Sequence, residues 1–297
     1  MTNASPRSFD PDAIARVSAL EFRTRAIVEG LISGKHRSPF RGGTADFAQH
    51  RPYAAGDDLR LLDWKAWAKS DKLYVKEFED ETNLRATLLL DASASMDYGQ
   101  GETNKYAYSS LLASSLAYLL LRQSDAVGAL VFDDALRAEV PHRNQSNHLR
   151  SILHALHVVE PVRKFDFAKT LSQLIDREPK RGLIVIVSDL LAERSSVTNA
   201  LRQLRRRRHD VIVFHVLHDD EIDFPFEGPT RFEGMESDST LNCDPRALRD
   251  DFVRAMKDYI AELGRECART SIDYRLCRTS QPIDSLLAEL LHERMRG

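Results

Sequence analysis

The 297-residue chain is short of the features that place a protein in a special class. It has three cysteines, Cys243, Cys267 and Cys277, and none is spaced as C-x-x-C. An odd number cannot form a full disulfide set, so reduced thiols in a cytoplasmic protein are the expectation. Long apolar runs are missing too. Stretches such as Leu183 to Val187 have the length of a strand and fall well short of the ~20 residues that span a bilayer. Nothing at the N-terminus resembles a signal peptide. Charge of one sign is not in excess: the net is −3, so bulk charge implies neither nucleic acid nor an anionic membrane as a partner. What is present is ordinary for a globular protein, with 42% hydrophobic and 29% charged residues, enough for one large α/β domain or two modest ones.

Two regions differ in texture. Residues 11 to 33 have helical periodicity, with Ile14, Val17, Leu20, Ile27 and Leu31 on one side and Gly34 as a stop. Residues 35 to 63 carry turn signals and charge, including Lys35, His36, Arg37, Arg41, His50, Arg51 and Arg60. This length predicts an ordered docking or functional loop rather than an idle connection. Internal pairing of its basic residues with Asp57, Asp58 and Asp63 is the economical expectation. Trp64 and Trp67 share a face and are expected to pin this segment onto the rest. Residues 1–84 therefore form an N-terminal helix-and-loop segment in this reading.

From residue 85 onward, strands and helices alternate. Predicted strands cover Ala86 to Leu90, Ala126 to Phe132, Ala135 to Val140, Gly182 to Ser188, Val211 to Leu217 and Ile272 to Leu276. Helices are predicted over 104–123, 147–159, 167–177, 192–207, from Asp244-Pro245 onward, and 282–295, with a hairpin or irregular insertion over 222–243. This order implies an α/β fold over 85–297: a mostly parallel, Rossmann-like central sheet with helices on both faces and one antiparallel hairpin strand.

Two of the strands end abruptly in an acid: Leu88-Leu89-Leu90-Asp91 and Ile186-Val187-Ser188-Asp189. In open α/β sheets ligands bind outside the carboxyl ends of the strands, where the strand order reverses. If these two strands are central neighbours, Asp91 and Asp189 meet there. Asp91-Ala92-Ser93-Ala94-Ser95 places a carboxylate and two hydroxyls at alternate positions as the chain leaves its strand. Such oxygen donors suit a small hard cation such as Mg²⁺, with Mn²⁺ or Ca²⁺ as related choices. Asp91, Ser93, Ser95 and a water-bridged Asp189 are the predicted metal residues, leaving one position for an acidic group of a partner. The competing local account is that Ser93 and Ser95 cap the next helix.

At these residues the chain resembles the von Willebrand factor type A superfamily, with its metal-ion-dependent adhesion site. It more closely resembles the bacterial family called domain of unknown function 58. The resemblance rests on His36-Arg-Ser38-Pro-Phe40, then Phe47-Ala-Gln-His50-Arg51-Pro52-Tyr53-Ala-Ala-Gly56-Asp57-Asp58-Leu-Arg60, Asp63-Trp64-Lys65, and Leu73-Tyr-Val-Lys76-Glu77-Phe78-Glu79-Asp80-Glu81 before the strand into Asp91. It implies a non-catalytic adaptor that acts beside a MoxR-type AAA+ ATPase in complex assembly or metal insertion. One position departs from the adhesion-site pattern. The third loop usually supplies a Thr, and here Lys164-Phe165-Asp166-Phe167 puts Phe165 in its place, with Thr170 one helical turn on.

Other chemistries fit less well. Gly30-x-x-x-Gly34-Lys35 lacks the spacing and hydroxyl of a phosphate loop. An aspartyl-phosphate mechanism needs an acid where Ser93 stands. Of the ten histidines, His154 and His157 lie one turn apart without further ligands. Arg205 to Arg208 sit where a helix C-terminus favours positive charge. A metal-dependent hydrolase using Asp91 and Asp189 is the rival reading, disfavoured by the lack of a histidine near either acid in sequence.

Overall fold

The computed structural model describes residues 11–33, 45–52, 73–80, 84–145, 147–161, 170, 171, 177, 181–235 and 239–294. Trp64, Trp67, Phe165 and most of the basic 35–63 segment lie outside these residues.

Ala45–Pro52 (β1) and Tyr74–Asp80 (β2) form an antiparallel pair, with Phe47 opposite Phe78 and Pro52 opposite Tyr74. The register shifts between Phe47 and Gln49. A strand thus lies inside the stretch expected to be loop. With Asp46, Gln49, His50 and Arg51 around Phe47 and Ala48, it is too polar to read as a strand, and the pairing comes from a partner beyond residue 70.

The chain divides into two compact units with one boundary at residue 84, but the smaller unit is not the whole 1–84 segment. One holds residues 40–84, and the other joins the first 39 residues to everything from Arg85 onward. The helix Pro11–Ser33 (α1) explains the difference. Thr24, Val28 and Leu31 form a buried stripe at helical spacing. With it α1 packs against Lys105–Arg122 (α2), His148–Val158 (α3) and Ile283–Arg294 (α7). The helix expected to open a separate segment is part of the α/β unit.

That unit is built on a six-stranded sheet. Its strands are Arg85–Asp91 (β3), Ala126–Phe132 (β4), Leu136–Arg143 (β5), Leu183–Ser188 (β6), Asp210–Leu217 (β7) and Asp273–Arg278 (β10), in the order β10-β7-β6-β3-β4-β5. All neighbours run parallel except β4 and β5. The chain starts in the middle at β3, builds outward to β5, then returns to β6 on the other side of β3. The strand order therefore reverses between β3 and β6.

Both faces are covered, which explains why β6 is apolar without alternation: all six of its residues are buried. On one face Leu89, Ile184, Ile186, Val211 and Val213 meet Val197, Leu201 and Leu204 of Arg194–Arg206 (α4) and Leu263 and Cys267 of Pro245–Arg269 (α6). Leu88 and Leu90, of the opposite parity, are fully buried as well. There α2 lies between the sheet and α1 and is buried nearly all round, which accounts for its Ser- and Ala-rich sequence.

The cap predicted at Asp244 is realised. Asp244 Oδ1 accepts from the Arg246 amide at 3.0 Å and Pro245 opens α6. Asp133 shapes the β4–β5 turn, accepting from the Ala135 amide (3.1 Å) and from Arg137 (2.6 Å). One element was not anticipated. Asp219–Asp223 (α5) is a short helix after β7, whereas Thr230–Glu233 (β8) with Thr240–Cys243 (β9) makes a hairpin within 222–243, one of the two readings of that stretch. Phe224, at φ 47°, stacks there on Phe232 and tilts against Phe252 of α6. Among the described residues no helix is long and apolar enough to cross a membrane.

Candidate metal centre

The four predicted metal residues sit at the carboxyl ends of β3 and β6, which pair directly through Leu90 and Val187. Asp91 closes β3 and is fully buried. Its Oδ1 accepts from the Ser93 amide at 2.8 Å, and its Oδ2 accepts from the Ser188 hydroxyl at 2.5 Å. Ser188 also accepts from the Leu190 amide at 3.0 Å, so one hydroxyl fixes both strand ends. Ser188 stands in the run read for its Asp189, and its own role was missed.

The two serines are not spent on capping. Ser93 precedes the 3₁₀ turn Ala94–Asp97, but its hydroxyl makes no capping bond. It lies instead 3.0 Å from the Ser95 hydroxyl. The helix α2 is capped by Asn104, whose Oδ1 accepts from the Ala107 amide at 3.0 Å. Capping by Ser93 and Ser95 therefore does not explain their spacing.

Asp189 is buried beside this group. Its Oδ1 accepts from the Leu191 amide at 3.2 Å. Its Oδ2 receives the ammonium of Lys105 at 2.8 Å. Lys105 is the first residue of α2, is fully buried, and also donates to Glu221 Oε1 at 2.7 Å. Glu221 Oε2 in turn accepts from the His218 amide at 2.7 Å, capping α5. Tyr98 donates to Asp220 Oδ2 at 3.0 Å on the same side. Neither Lys105 nor Glu221 was singled out in the sequence. A lysine opening a helix opposes the helix dipole, and that anomaly was the available signal.

Charge explains the titration of the two acids. Burial, and then the nearby Asp189, push the Asp91 carboxyl up to about 7. Burial also raises Asp189, but the Lys105 ammonium overrides it and holds that carboxyl below its ordinary range. Asp91 is thus the acid of the pair that holds its proton more readily.

Asp91, Ser93 and Ser95 offer oxygen donors only, as a hard cation requires. Among the described residues no three carboxylate, imidazole or thiol side chains converge to hold a metal by themselves. A cation here would depend on the serine hydroxyls and water as well as on Asp91, and Asp189 would reach it through water while Lys105 holds its Oδ2. On charge and donor type the residues fit Mg²⁺. Thr170 is 2% exposed in a helical segment, and Phe165 lies outside the described residues.

A histidine does approach these acids, from a distant part of the chain. His215 of β7 pairs in register with Ser188 and is fully buried. Its Nδ1 lies 2.6 Å from the Tyr274 hydroxyl, and burial pushes the imidazole down to about 4.

Comparison with known proteins places the chain among relatives of similar length. It is 27% identical over 295 residues to "Uncharacterized protein Rv1480" of Mycobacterium tuberculosis, covering 97% of this chain and 92% of that one. The same figures hold for "Uncharacterized protein Mb1516" of Mycobacterium bovis. Similar solved structures include the conserved hypothetical protein BatB from Bacteroides thetaiotaomicron, at 14% identity and TM-score 0.46, covering 72% of this chain and 100% of that one. The SpRpn10 VWA domain is similar at 11% identity and TM-score 0.39, covering 70% and 95%. Residues 49–262 match the family described as protein of unknown function DUF58. With most of its length matched, from β1 to the middle of α6, the chain belongs to the DUF58 family.

Proposed function

We propose that this protein is a non-catalytic adaptor whose α/β unit binds a divalent cation, Mg²⁺ by preference, at the β3–β6 switch point. Through that cation it engages an acidic residue of a partner protein. The observation that carries the reading is the meeting of Asp91, Ser93, Ser95 and Asp189 at one strand-order reversal, with the serine hydroxyls free of capping duty. A carboxylate from a partner is the natural ligand for the remaining position of a hard cation. The MoxR-type AAA+ ATPase as co-worker rests on the family resemblance of the 36–97 stretch.

The rival, a metal-dependent hydrolase, needs a base that reaches a substrate. His215 is sealed beneath Tyr259 and Tyr274 and spends its Nδ1 on Tyr274. Asp91 has both oxygens in hydrogen bonds. These arrangements favour binding over turnover.

The test is association with a purified MoxR-type ATPase in Mg²⁺ and in EDTA, for wild type and Asp91→Ala. The adaptor reading expects binding that needs both the metal and Asp91. Equal binding in all four conditions rejects a metal-mediated contact.

A further inference from the structure

The buried ammonium of Lys105 is unusual on three counts. It is fully excluded from solvent, it opens a helix whose dipole repels it, and it joins carboxylates more than eighty residues away. Removing a charge from water costs several kcal/mol unless it is paired. Here two carboxylates pair it, Asp189 at 2.8 Å and Glu221 at 2.7 Å. It thereby ties together the loops that follow β3, β6 and β7.

Asp91 is treated differently. Its oxygens accept from Ser93 and Ser188, both neutral donors. Among the described residues, Lys105 is the one basic side chain hydrogen-bonded to an acid of this cluster apart from the pairs at the outer rim of α5. Asp189 and Glu221 share the one ammonium, and Asp91 stands beside Asp189 as a third carboxylate. When all are ionised, two negative charges remain, and a divalent cation brings the set to neutrality.

We infer that Lys105 is a built-in cation of the site: it neutralises the Asp189–Glu221 side, holds Asp189 back from direct coordination, and so sets the charge that an incoming metal must supply. This rests on the cation-binding reading above. Lys105 is a positioning residue, because it acts on the metal site through Asp189 and not by touching the ion. With its Oδ2 held by the ammonium, Asp189 is kept at second rank, and a position on the cation stays open for an outside acid. Without Lys105, Asp189 is released toward the cation, which then binds more tightly and has less room for a partner.

The test is a Mn²⁺ titration by calorimetry of wild type, Lys105→Met, Glu221→Gln and the double variant. At separations of several ångströms inside a protein, one unit charge changes the affinity for a divalent ion by about tenfold or more. Lys105→Met is therefore expected to bind Mn²⁺ at least about tenfold more tightly, and Glu221→Gln correspondingly more weakly. The double variant, which loses one charge of each sign, is expected to return near wild type. Lys105→Met should also melt lower than wild type in EDTA and gain more from Mn²⁺. If that variant does not fold in EDTA, Glu221→Gln and the double variant carry the comparison. Wild-type binding with an unchanged or weaker Lys105→Met, or a double variant no closer to wild type than Glu221→Gln, overturns the role of Lys105 while leaving the metal site standing. Absence of saturable binding in the folded wild type overturns both.

Discussion

The Ser188 hydroxyl donates to Asp91 Oδ2 at 2.5 Å across the β3–β6 boundary, and Ser188 Oγ itself accepts from the Leu190 amide. One serine thus joins the two strand ends that form the candidate site. Ser188→Ala leaves a buried carboxylate oxygen and a buried amide without partners. A loss of about 1–3 kcal/mol in urea unfolding is expected. The Asp91 carboxyl is expected to titrate still higher than about 7, since Ser188 lowers it.

Asp91 sets a pH signature. Its folded pKa lies above the ordinary 3.8, near 7. The folded state therefore holds a proton that the unfolded state has released, and stability falls as pH rises between those values. In EDTA, Asp91→Asn removes this fall. The stability of the variant minus that of wild type should rise from pH 4 to 7 and level off above. A flat difference in urea titrations across that range contradicts an ionisation-strained Asp91.

His142 acts with the opposite sign. Burial, then Arg85 and His148, push its imidazole down to about 4, and its Nε2 lies 2.8 Å from the Thr87 hydroxyl. A group held neutral in the fold contributes stability above its unfolded pKa of about 6.5, lost as pH falls toward 4. His142→Gln is expected to lessen the acid loss by about 1–3 kcal/mol. Melting curves at pH 7 and 4.5 measure it.

Gly182 enters β6 against β3. A Cβ there would stand 2.3 Å from the Arg85 carbonyl oxygen, which is backbone and cannot swing aside. Gly182→Ala is expected to cost about 1–3 kcal/mol by forcing the two central strands apart. A wild-type-like denaturation midpoint would refute this.

The strand ends were legible because each follows an apolar run that both faces of the sheet bury, so Asp91 and Asp189 stand out as the first charges after Leu90 and Ser188. The spacing of Ser93 and Ser95 was legible for the same reason. What lies beside them was not. Lys105 meets Glu221 across 116 residues, and His215 reaches Ser188 through parallel pairing, a relation that nearness in sequence does not reveal. Polar β1 was hidden because its pairing comes from a distant strand. The short α5 was hidden because His218 and Glu221 form its capping box, with the histidine in the place of the usual Ser or Thr. That α1 joins the α/β unit was hidden because it finds its apolar partners in α2, α3 and α7, far along the chain.

The central claim is that Asp91 anchors a divalent cation at the β3–β6 switch point. Calorimetric titration of the chain with Mg²⁺ and Mn²⁺, beside Asp91→Ala, tests it directly. Saturable binding at one site per chain, lost in the variant, is the predicted result. Wild type that takes up neither ion, or binding that survives Asp91→Ala unchanged, contradicts it.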